Sequence, residues 1–563
     1  MQHATATSAD SMRQSYAGPG AGLVTILASA LSLSAFLIYF RRGDLLLYGD
    51  AVAHINLARR IFDSLTPGFD QLGTVWLPLP HLLMAPFVAN DWLWRTGVAG
   101  AIPSMIAFVF GALGLFRLAS DTATRWHAAP RLTVAAGAFA AAIYALNPNL
   151  LYLQTTAMNE PLYLALLVWA VVWLQRFRAR IRDNRGDNCA GRALVACGAL
   201  TAAAEMTRYD GWFAAGFIGI AALLIWICNR QKMRLRAAVL FVILVAGAPT
   251  FWLAFNYKLH GNAIDFANGP YSARAIEQRS PHPAIGPLHP GDHDVRLAAI
   301  YFVRTVEADL GQKGRLAVLL IAGLGALFAS RRSWPILLLW AALPFYVYSI
   351  AYGSIPIFMP ELPPWSYYNT RYGTALLPAI AACVATSVVL LVGRLQRRAV
   401  QAGVFAALVV LIAFTYATAY VVPHHRGWSF PGEPNAGPLV WREAKVNAVT
   451  RQRFEMQLAG ELQKLPVNSR ILMNCSDHVG ALQRADIPLR NVINDANGLF
   501  WQEALRAPAN EADFVVAIAH DQVSQALLGN PAGLEQISVV HGDPDQGTAT
   551  IYRSQLRASR EPH

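Results

Sequence analysis

The sequence predicts a polytopic α-helical membrane protein of about eleven transmembrane helices, followed by a C-terminal extracytoplasmic α/β domain. Of the 563 residues, 55% are hydrophobic and only 14% are charged, whereas about a quarter of the residues in a soluble domain are charged. The apolar residues form runs that are long enough to cross a bilayer of about 30 Å. Toward the C-terminus this pattern gives way to short strands that alternate with helices.

The first apolar run, residues 22–40, contains no charged residue and is long enough for one span. A cleaved signal peptide is the alternative, but no small-x-small cleavage site followed by a soluble chain comes after it. We therefore expect residues 1–21 to form a cytoplasmic tail before an uncleaved span. Ten further runs lie near residues 95–117, 131–147, 160–175, 192–207, 211–228, 237–256, 314–330, 333–352, 372–393 and 399–421.

The basic residues between these runs predict the orientation. Lysine and arginine cluster after the fourth, sixth, eighth and tenth runs, whereas residues 148–159 and 353–370 contain neither. Cytoplasmic loops are enriched in these residues, so we expect the N-terminus in the cytoplasm and the C-terminal domain outside a bacterial-type inner (plasma) membrane. Because the same arginines explain much of the net charge of +12, the sequence does not indicate nucleic-acid binding.

Within the predicted membrane domain, residues 22–421, three external loops are long enough to contribute to a site: residues 41–94, 257–313 and 353–371. The first loop is partly apolar and predicts two short interfacial helices, one around LARRIF and one within residues 75–88. The tail, residues 422–563, predicts an amphipathic helix followed by alternating strands and helices, which favours a largely parallel sheet. We expect this tail to be an accessory domain.

Ionisable residues at the external ends of the spans are the candidates for chemistry, because such groups are costly next to hydrocarbon and are kept for function. They come from five different spans and are expected on one face of the membrane. They are the acids Asp50, Glu160 and Asp210, the cations Arg59, Arg60, Arg208, Lys258 and Arg371, and the histidines His54 and His81.

Each candidate also has a structural explanation. An arginine at the end of a span often contacts lipid phosphate. Asp50 precedes a predicted helix and is suited to cap it, and Glu160 precedes Pro161 at a helix start, where an acid suits the helix dipole. His54 alone is suited to packing, and Asp63 is expected to be a solvated loop acid. The convergence of several such groups on one face is harder to explain by structure alone.

An acid beside a cationic cluster at a membrane surface suits a lipid-linked sugar phosphate. Its phosphate is already a good leaving group, and arginines can hold it with two parallel hydrogen bonds as the C1–O bond breaks. The acceptor is a weak nucleophile, usually a hydroxyl, so one carboxylate must take its proton. A direct displacement of this kind inverts the anomeric centre.

Four short motifs carry a resemblance to a known family: YGDAVAHINLARRI after the first span, MNEPLY at the start of the fourth, RYDGW after the fifth and NTRYGTALLP near the last spans. Over roughly residues 22–421 the chain resembles the GT-C superfamily of polytopic glycosyltransferases. It is most similar to the family 39 type, which includes protein O-mannosyltransferases and the aminoarabinose transferase that acts on lipid A. Eleven spans and an external C-terminal domain also resemble that superfamily.

By position, the resemblance implies that Asp50 is the catalytic acidic residue of the family, that Glu160 shapes the catalytic site and that Arg371 binds the donor phosphate. The first loop has a lone Asp instead of the Asp-Glu pair of the O-mannosyltransferases, so a protein acceptor is not implied. Arg208, Arg59, Arg60 and Lys258 are further phosphate-binding candidates, and His54, Asp210 and His81 are candidates for supporting roles.

The implied partners are a polyprenyl-phosphate-linked sugar donor, an acceptor that is a glycan, a lipid or a protein, and membrane lipids. No cofactor is expected to be required. Asp50 and His54 lie four residues apart on one helix face and, with Glu160, are the candidates for an optional divalent metal.

Two other functions fit parts of the sequence. A transporter or flippase of a polar or sugar-bearing lipid is the main alternative, but it usually needs polar groups near mid-membrane, and the spans at 22–40, 237–256 and 399–421 have no charged residue in their middles. A sensor or scaffold whose tail is its working part is the other. The sequence therefore favours an inverting glycosyltransferase of the polyprenyl-phosphate-dependent type, transferring a hexose or a pentose.

Overall fold

The computed structural model describes residues 2–72, 75–183, 187–229, 235–279, 286–421, 432–529 and 531–558. The chain before the C-terminal domain is built from helices: α1 (Gln2–Arg41), α2 (Gly49–Arg60), α3 (Leu79–Val88), α4 (Asp91–Thr96), α5 (Val98–Arg125), α6 (Pro130–Ala145), α7 (Pro148–Leu153), α8 (Glu160–Arg182), α9 (Asp187–Glu205), α10 (Tyr209–Cys228), α11 (Leu235–His260), α12 (Asp265–Asn268), α13 (Ala273–Arg279), α14 (Val295–Leu310), α15 (Arg315–Arg332), α16 (Ala342–Tyr352), α17 (Leu377–Gly393) and α18 (Arg398–Thr418). Shorter 3₁₀ helices lie at Phe69–Gln71, Trp334–Ala341 and Thr370–Leu376.

A helix overlaps each of the eleven predicted spans, but not all of them satisfy the criteria for a span. In the part of the chain that the structure describes, eight helices are long and apolar enough to cross a membrane. A ninth span results if α14 and α15, which are bent by 108° at a short break, are counted as one. The two predicted spans outside this set are α6, which has 16 residues, and α9. The protein is an integral membrane protein, and its described residues contain eight or nine helices of this kind, compared with about eleven expected.

The spans differ in how deeply they are buried within the bundle. The most apolar 18 residues of the span Thr370–Gly393 are 94% buried, whereas those of α11 and α18 are 22% and 17% buried. Since all three are strongly apolar, α17 forms the centre of the bundle and the other two present most of their surface to lipid. Close packing at the centre depends on small residues: a Cβ at Gly325 would lie 1.9 Å from the backbone oxygen of Cys383.

The loop 41–94, which the sequence analysis places outside, folds into short helices as its sequence predicts. Helix α2 covers the charged segment, and α3 is an apolar helix of ten residues, too short to cross a bilayer. The loop packs around Tyr48, Ile55 and Trp94, which are 5% exposed or less. This loop therefore gives its charged residues a rigid scaffold.

The C-terminal region contains the predicted elements in the predicted order. Its helices are α19 (Leu439–Leu462), α20 (Val479–Ala485), α21 (Leu499–Arg506), α22 (Pro508–Glu511), α23 (Gln522–Gly529) and α24 (Gln555–Ala558), with a 3₁₀ helix at Leu489–Asn491. The strands are β1 (Ile471–Met473), β2 (Val492–Ile493), β3 (Phe514–Ile518), β4 (Leu534–His541) and β5 (Thr548–Ser554).

The sheet is mixed instead of largely parallel. Its order is β2-β1-β3-β5-β4, in which β1 is parallel to β2 and β3, and β5 is antiparallel to β3 and β4. The β4–β5 connection, residues 542–547, is too short for a crossover, so these two strands can only form a hairpin.

The C-terminal region packs directly on one end of the helical bundle, against the loop 41–94. Tyr48 donates a hydrogen bond to the backbone oxygen of Val440 over 2.9 Å, and the indole of Trp441 donates to Asp44 over 2.9 Å. Buried residues of both parts form one continuous hydrophobic cluster. The expected domain boundary at residue 422 lies outside the described residues.

Candidate functional site

Arg371 lies at the centre of a cluster of acids at the end of the helical bundle against which the C-terminal region packs. Its guanidinium group donates to Asp50 over 2.6 Å and to Glu160 over 3.2 Å, and its Nη1 lies 3.5 Å from Glu443. The Arg371 side chain is 8% exposed. One arginine therefore joins three acids from distant parts of the chain, in a buried position where charge-assisted hydrogen bonds are strong.

Asp50 is the most solvent-exposed of the three acids around Arg371. Its side chain is 39% exposed, compared with 5% for Glu160 and 1% for Glu443. Helix α2 begins at Gly49 with Tyr48 as its N-cap residue. The described hydrogen bond of the Asp50 carboxylate goes to Arg371 and not to a backbone N–H, so Asp50 is not the helix cap that its sequence position allows.

Arg208 forms a second centre, joined to the first through Glu160. It donates to Glu160 over 3.0 Å, to Asp210 over 3.2 Å and to the hydroxyl of Tyr346 over 2.9 Å. Burial disfavours the charged form of Arg208, but Asp210, Tyr346 and Glu160 outweigh this effect and raise the pKa of its guanidinium above the ordinary value. The structure thus brings together Asp50, Glu160, Arg208, Asp210 and Arg371, five of the predicted residues.

Aromatic rings pack against the two guanidinium groups. The Tyr372 ring lies between them, 4.9 Å from the guanidinium carbon of Arg371 and 5.4 Å from that of Arg208. Tyr48 covers Arg371 at 5.1 Å and Tyr163 covers Arg208 at 6.0 Å. These cation–π contacts hold the guanidinium planes in place without using their N–H groups.

Glu443 is a member of the site that the sequence patterns do not reveal. It lies in the first turns of α19, in the C-terminal region, and is 1% exposed. Acids in an amphipathic helix usually face solvent, so no periodicity or motif distinguishes Glu443 from its neighbours. Only the packing of α19 on the bundle places this carboxylate beside Arg371.

His54 and His81 form a buried polar chain next to the cluster. Asn159 donates to Nε2 of His54 over 3.1 Å, which places the proton of His54 on Nδ1. The Nδ1–H group of His54 then donates to Nε2 of His81 over 2.9 Å. Burial, together with the charges of Arg208 and Arg371, lowers the pKa of His54 to about 3. Burial also lowers the pKa of His81, so both histidines are neutral at neutral pH.

We expect His54 to make folding stability depend on pH. Because its pKa falls from 6.5 to about 3 on folding, the unfolded state binds more protons between these values. Above pH 6.5 His54 is neutral in both states and does not lower the free energy of unfolding. As the pH falls from 6.5 toward 3 the free energy of unfolding decreases, and the decrease is about 2 kcal/mol at pH 5. Thermal unfolding at pH 5 and 7.5 should show a smaller pH effect in His54→Gln than in the wild type. An equal pH effect in both would contradict this assignment.

Arg59 lies outside the cluster. It donates to Asp63 over 2.9 Å, to the Val88 carbonyl over 2.6 Å and to Asp91 over 2.6 Å, and its guanidinium carbon lies 4.8 Å from the Trp94 ring centre. Two of the three nitrogens hold α2 against α3 and α4, and the third binds Asp63 just after α2. The contacts of Arg59 are therefore structural, and they also explain why Asp63, expected in solvent, is buried.

Two further predicted cations are not joined to the cluster by a described contact. Arg60 is partly exposed, and its buried Nε has no hydrogen-bond partner among the described residues. Lys258 is exposed near the end of α11.

The three metal-ligand candidates do not form a site together. Both ring nitrogens of His54 are engaged by His81 and Asn159, while Asp50 and Glu160 both face Arg371. Among the described residues no group of three His, Cys, Asp or Glu side chains is placed to hold a metal ion. The positive charge of the described site comes from arginine.

Comparison with solved structures identifies the fold. ArnT from Cupriavidus metallidurans bound to undecaprenyl phosphate matches over 96% of this chain and 99% of its own, with 13% identity and a TM-score of 0.55. The apo state of the same protein matches over the same shares, with 12% identity and a TM-score of 0.52. No protein-family model and no curated protein sequence matches the chain. At this identity the similarity concerns the fold and not the activity, and it extends over nearly the full length of both proteins. The chain therefore adopts the GT-C fold.

Proposed function

We propose that this protein is an inverting glycosyltransferase that moves a sugar from a polyprenyl-phosphate donor to an acceptor at the external face of the inner membrane. The observation that carries the proposal is the contact of Asp50 with Arg371, in which a buried guanidinium group holds one partly exposed carboxylate. The undecaprenyl phosphate bound in the ArnT structure supports a lipid phosphate as the donor's carrier.

The arginines retain capacity for a phosphate even though acids already surround them. A guanidinium group has five N–H bonds. The described contacts use one hydrogen bond from each nitrogen of Arg371 and one from each nitrogen of Arg208. Among the described contacts each arginine therefore leaves two N–H bonds unused, and these would be the donors to phosphate oxygens. We propose Arg371 and Arg208 as the phosphate-binding pair, with Arg60 and Lys258 as outer cations that attract the donor.

In the proposed reaction, the acceptor hydroxyl attacks C1 of the donor sugar. The new C1–O bond forms as the bond from C1 to the phosphate oxygen breaks, and its electron pair leaves with the polyprenyl phosphate. The hydroxyl proton passes to Asp50, which works as the general base. Arg371 and Arg208 stabilise the charge that develops on the leaving phosphate. Glu160 accepts a hydrogen bond from each of them and so fixes the position of one guanidinium group relative to the other.

A transfer assay in proteoliposomes tests the proposal. The purified protein, a polyprenyl-phosphate sugar and a panel of glycan, lipid and peptide acceptors should yield glycosylated acceptor and free polyprenyl phosphate in equal amounts. Movement of the sugar lipid between leaflets without either product would support the flippase alternative and contradict transfer.

We also propose that transfer needs no metal ion, because the described site supplies its positive charge from arginine. Treatment with EDTA is expected to leave the rate of transfer unchanged. The check is to measure turnover with EDTA and again after adding Mg²⁺, Mn²⁺ or Zn²⁺. Activity that disappears with the chelator and returns with one of these ions would contradict the prediction.

A further inference from the structure

The loop that carries Arg371 is held by the C-terminal region at two points. Glu443 accepts hydrogen bonds from the backbone N–H groups of Asn369 and Thr370 and from the Thr370 hydroxyl. Two residues before Asn369, the hydroxyl of Tyr367 accepts a hydrogen bond from Arg442 over 2.9 Å. Glu443 and Arg442 are neighbours at the start of α19, and Asn447, one turn further on, donates to the backbone oxygen of Tyr367 over 3.1 Å. The first turns of α19 therefore hold the loop.

The backbone geometry explains why a carboxylate is needed at this place. Asn369 has a left-handed conformation, with φ of 57°, and the 3₁₀ helix Thr370–Leu376 begins directly after it. The first N–H groups of a helix have no partner within the helix, and a negative charge near them is favoured by the helix dipole. Glu443 supplies both a partner and a charge, although it is 73 residues away from Thr370 in sequence.

The same carboxylate also faces Arg371, the second residue of this 3₁₀ helix. Its Oε1 lies 3.5 Å from Nη1 of Arg371, while Oε2 is bound to Thr370. Glu443 therefore fixes both the backbone from which Arg371 starts and one edge of its guanidinium group. Asp50 and Glu160 take the remaining sides of the guanidinium.

We propose that Glu443 is a positioning residue for glycosyl transfer: it caps the Thr370–Leu376 helix from the C-terminal region and so holds Arg371 at the distance that the donor phosphate and Asp50 require. The activity part of this proposal rests on the proposed function. The C-terminal region is then a structural part of the transfer site, in contrast to the accessory domain that the sequence suggests. Burial raises the pKa of Glu443, and the contacts with Arg371 and Thr370 oppose that rise, which agrees with a carboxylate whose charge depends on these partners.

The test uses the full-length protein and two buried acids of the same helix. Glu443→Gln removes the charge with little change in size, and Glu443→Asp keeps the charge on a shorter side chain. Glu455→Gln is the matched control, because Glu455 is equally buried at 1% but pairs with Arg451 and Arg484 within the C-terminal region. Thr370→Val, which removes only the hydroxyl, is the milder variant if Glu443→Gln does not fold.

Hydrogen–deuterium exchange of the segment 367–376 measures, independently of activity, how firmly Glu443 holds the loop that carries Arg371. We call this set of contacts between Glu443 and the loop the clamp. We expect Glu443→Gln to raise its exchange rate about tenfold or more, with a smaller rise in Glu443→Asp and none in Glu455→Gln. Unchanged exchange in Glu443→Gln, or an equal rise in Glu455→Gln, would overturn the clamp.

Kinetics then test the positioning role. A displacement of Arg371 by about 1 Å is expected to lower kcat by about 10²-fold while the KM for the acceptor stays the same, with partial recovery in Glu443→Asp. Faster exchange with an unchanged kcat would overturn the positioning role. A wild type that transfers no sugar would refute the proposed function alone, because the exchange experiment still decides whether Glu443 clamps the loop.

Discussion

Asp50→Asn is expected to lower glycosyl transfer by about 10²–10⁴-fold, the range that a positioned general base contributes. Asparagine has nearly the same size and can still accept a hydrogen bond from Arg371, so the fold should persist. It cannot take a proton from the acceptor hydroxyl. Turnover under saturating donor and the thermal unfolding temperature in detergent are the two measurements.

Asp70→Asn is the control for this variant. Asp70 lies in the same loop, 41–94, is exposed, and has no described partner. It should retain wild-type turnover. If Asp50→Asn transferred sugar at a rate close to that of the wild type, Asp50 would not be the base, and its contact with Arg371 would be structural.

Arg371→Ala is expected to have the second large effect, on both stability and donor binding. It leaves Asp50, Glu160 and Glu443 without the cation that they share. Removing one partner of a buried ion pair costs about 3–5 kcal/mol, because the remaining charges stay in a poorly solvated place. Thermal unfolding measures the first effect, and the affinity for polyprenyl phosphate measures the second. Arg371→Lys keeps the charge, but an ammonium group does not reproduce the planar fork that reaches three acids, so it should restore stability only in part.

Arg59→Lys provides a comparison at the same membrane face. Arg59 is as buried as Arg371 and also binds two acids, but those acids lie outside the cluster. We expect this variant to lose stability while keeping its affinity for polyprenyl phosphate. Equal loss of that affinity in Arg59→Lys and Arg371→Lys would show that neither arginine has the specific role proposed for Arg371.

The fold could be predicted from sequence because its signals are local. The length of apolar runs predicts spans, and the change to short alternating elements predicts the α/β region. The number of spans was less accurate, because α6 and α9 form helices without satisfying the length and hydropathy criteria together. The parallel sheet was also wrong in part, since the order of elements does not reveal that β4 and β5 form a hairpin.

The site is harder to predict because its contacts are not local. Asp50 and Arg371 are 321 residues apart in sequence, and only their expected position at one membrane face connects them. Arg59 and Arg371 look alike as arginines near the ends of spans, yet one binds loop acids and the other binds the cluster. Glu443 has no sequence signal at all, since its role depends on how α19 packs against the loop at Asn369.

Mass spectrometry of the lipids that co-purify with Asp50→Asn tests the central claim most directly. A variant that binds donor but cannot complete transfer should accumulate it, so we expect a polyprenyl-phosphate sugar in Asp50→Asn and its depletion in Arg371→Ala purified in the same way. The sugar attached to the lipid would then identify the donor. The absence of any polyprenyl-phosphate sugar from Asp50→Asn, or equal amounts in both variants, would contradict the claim that this cluster is the donor site of a glycosyltransferase.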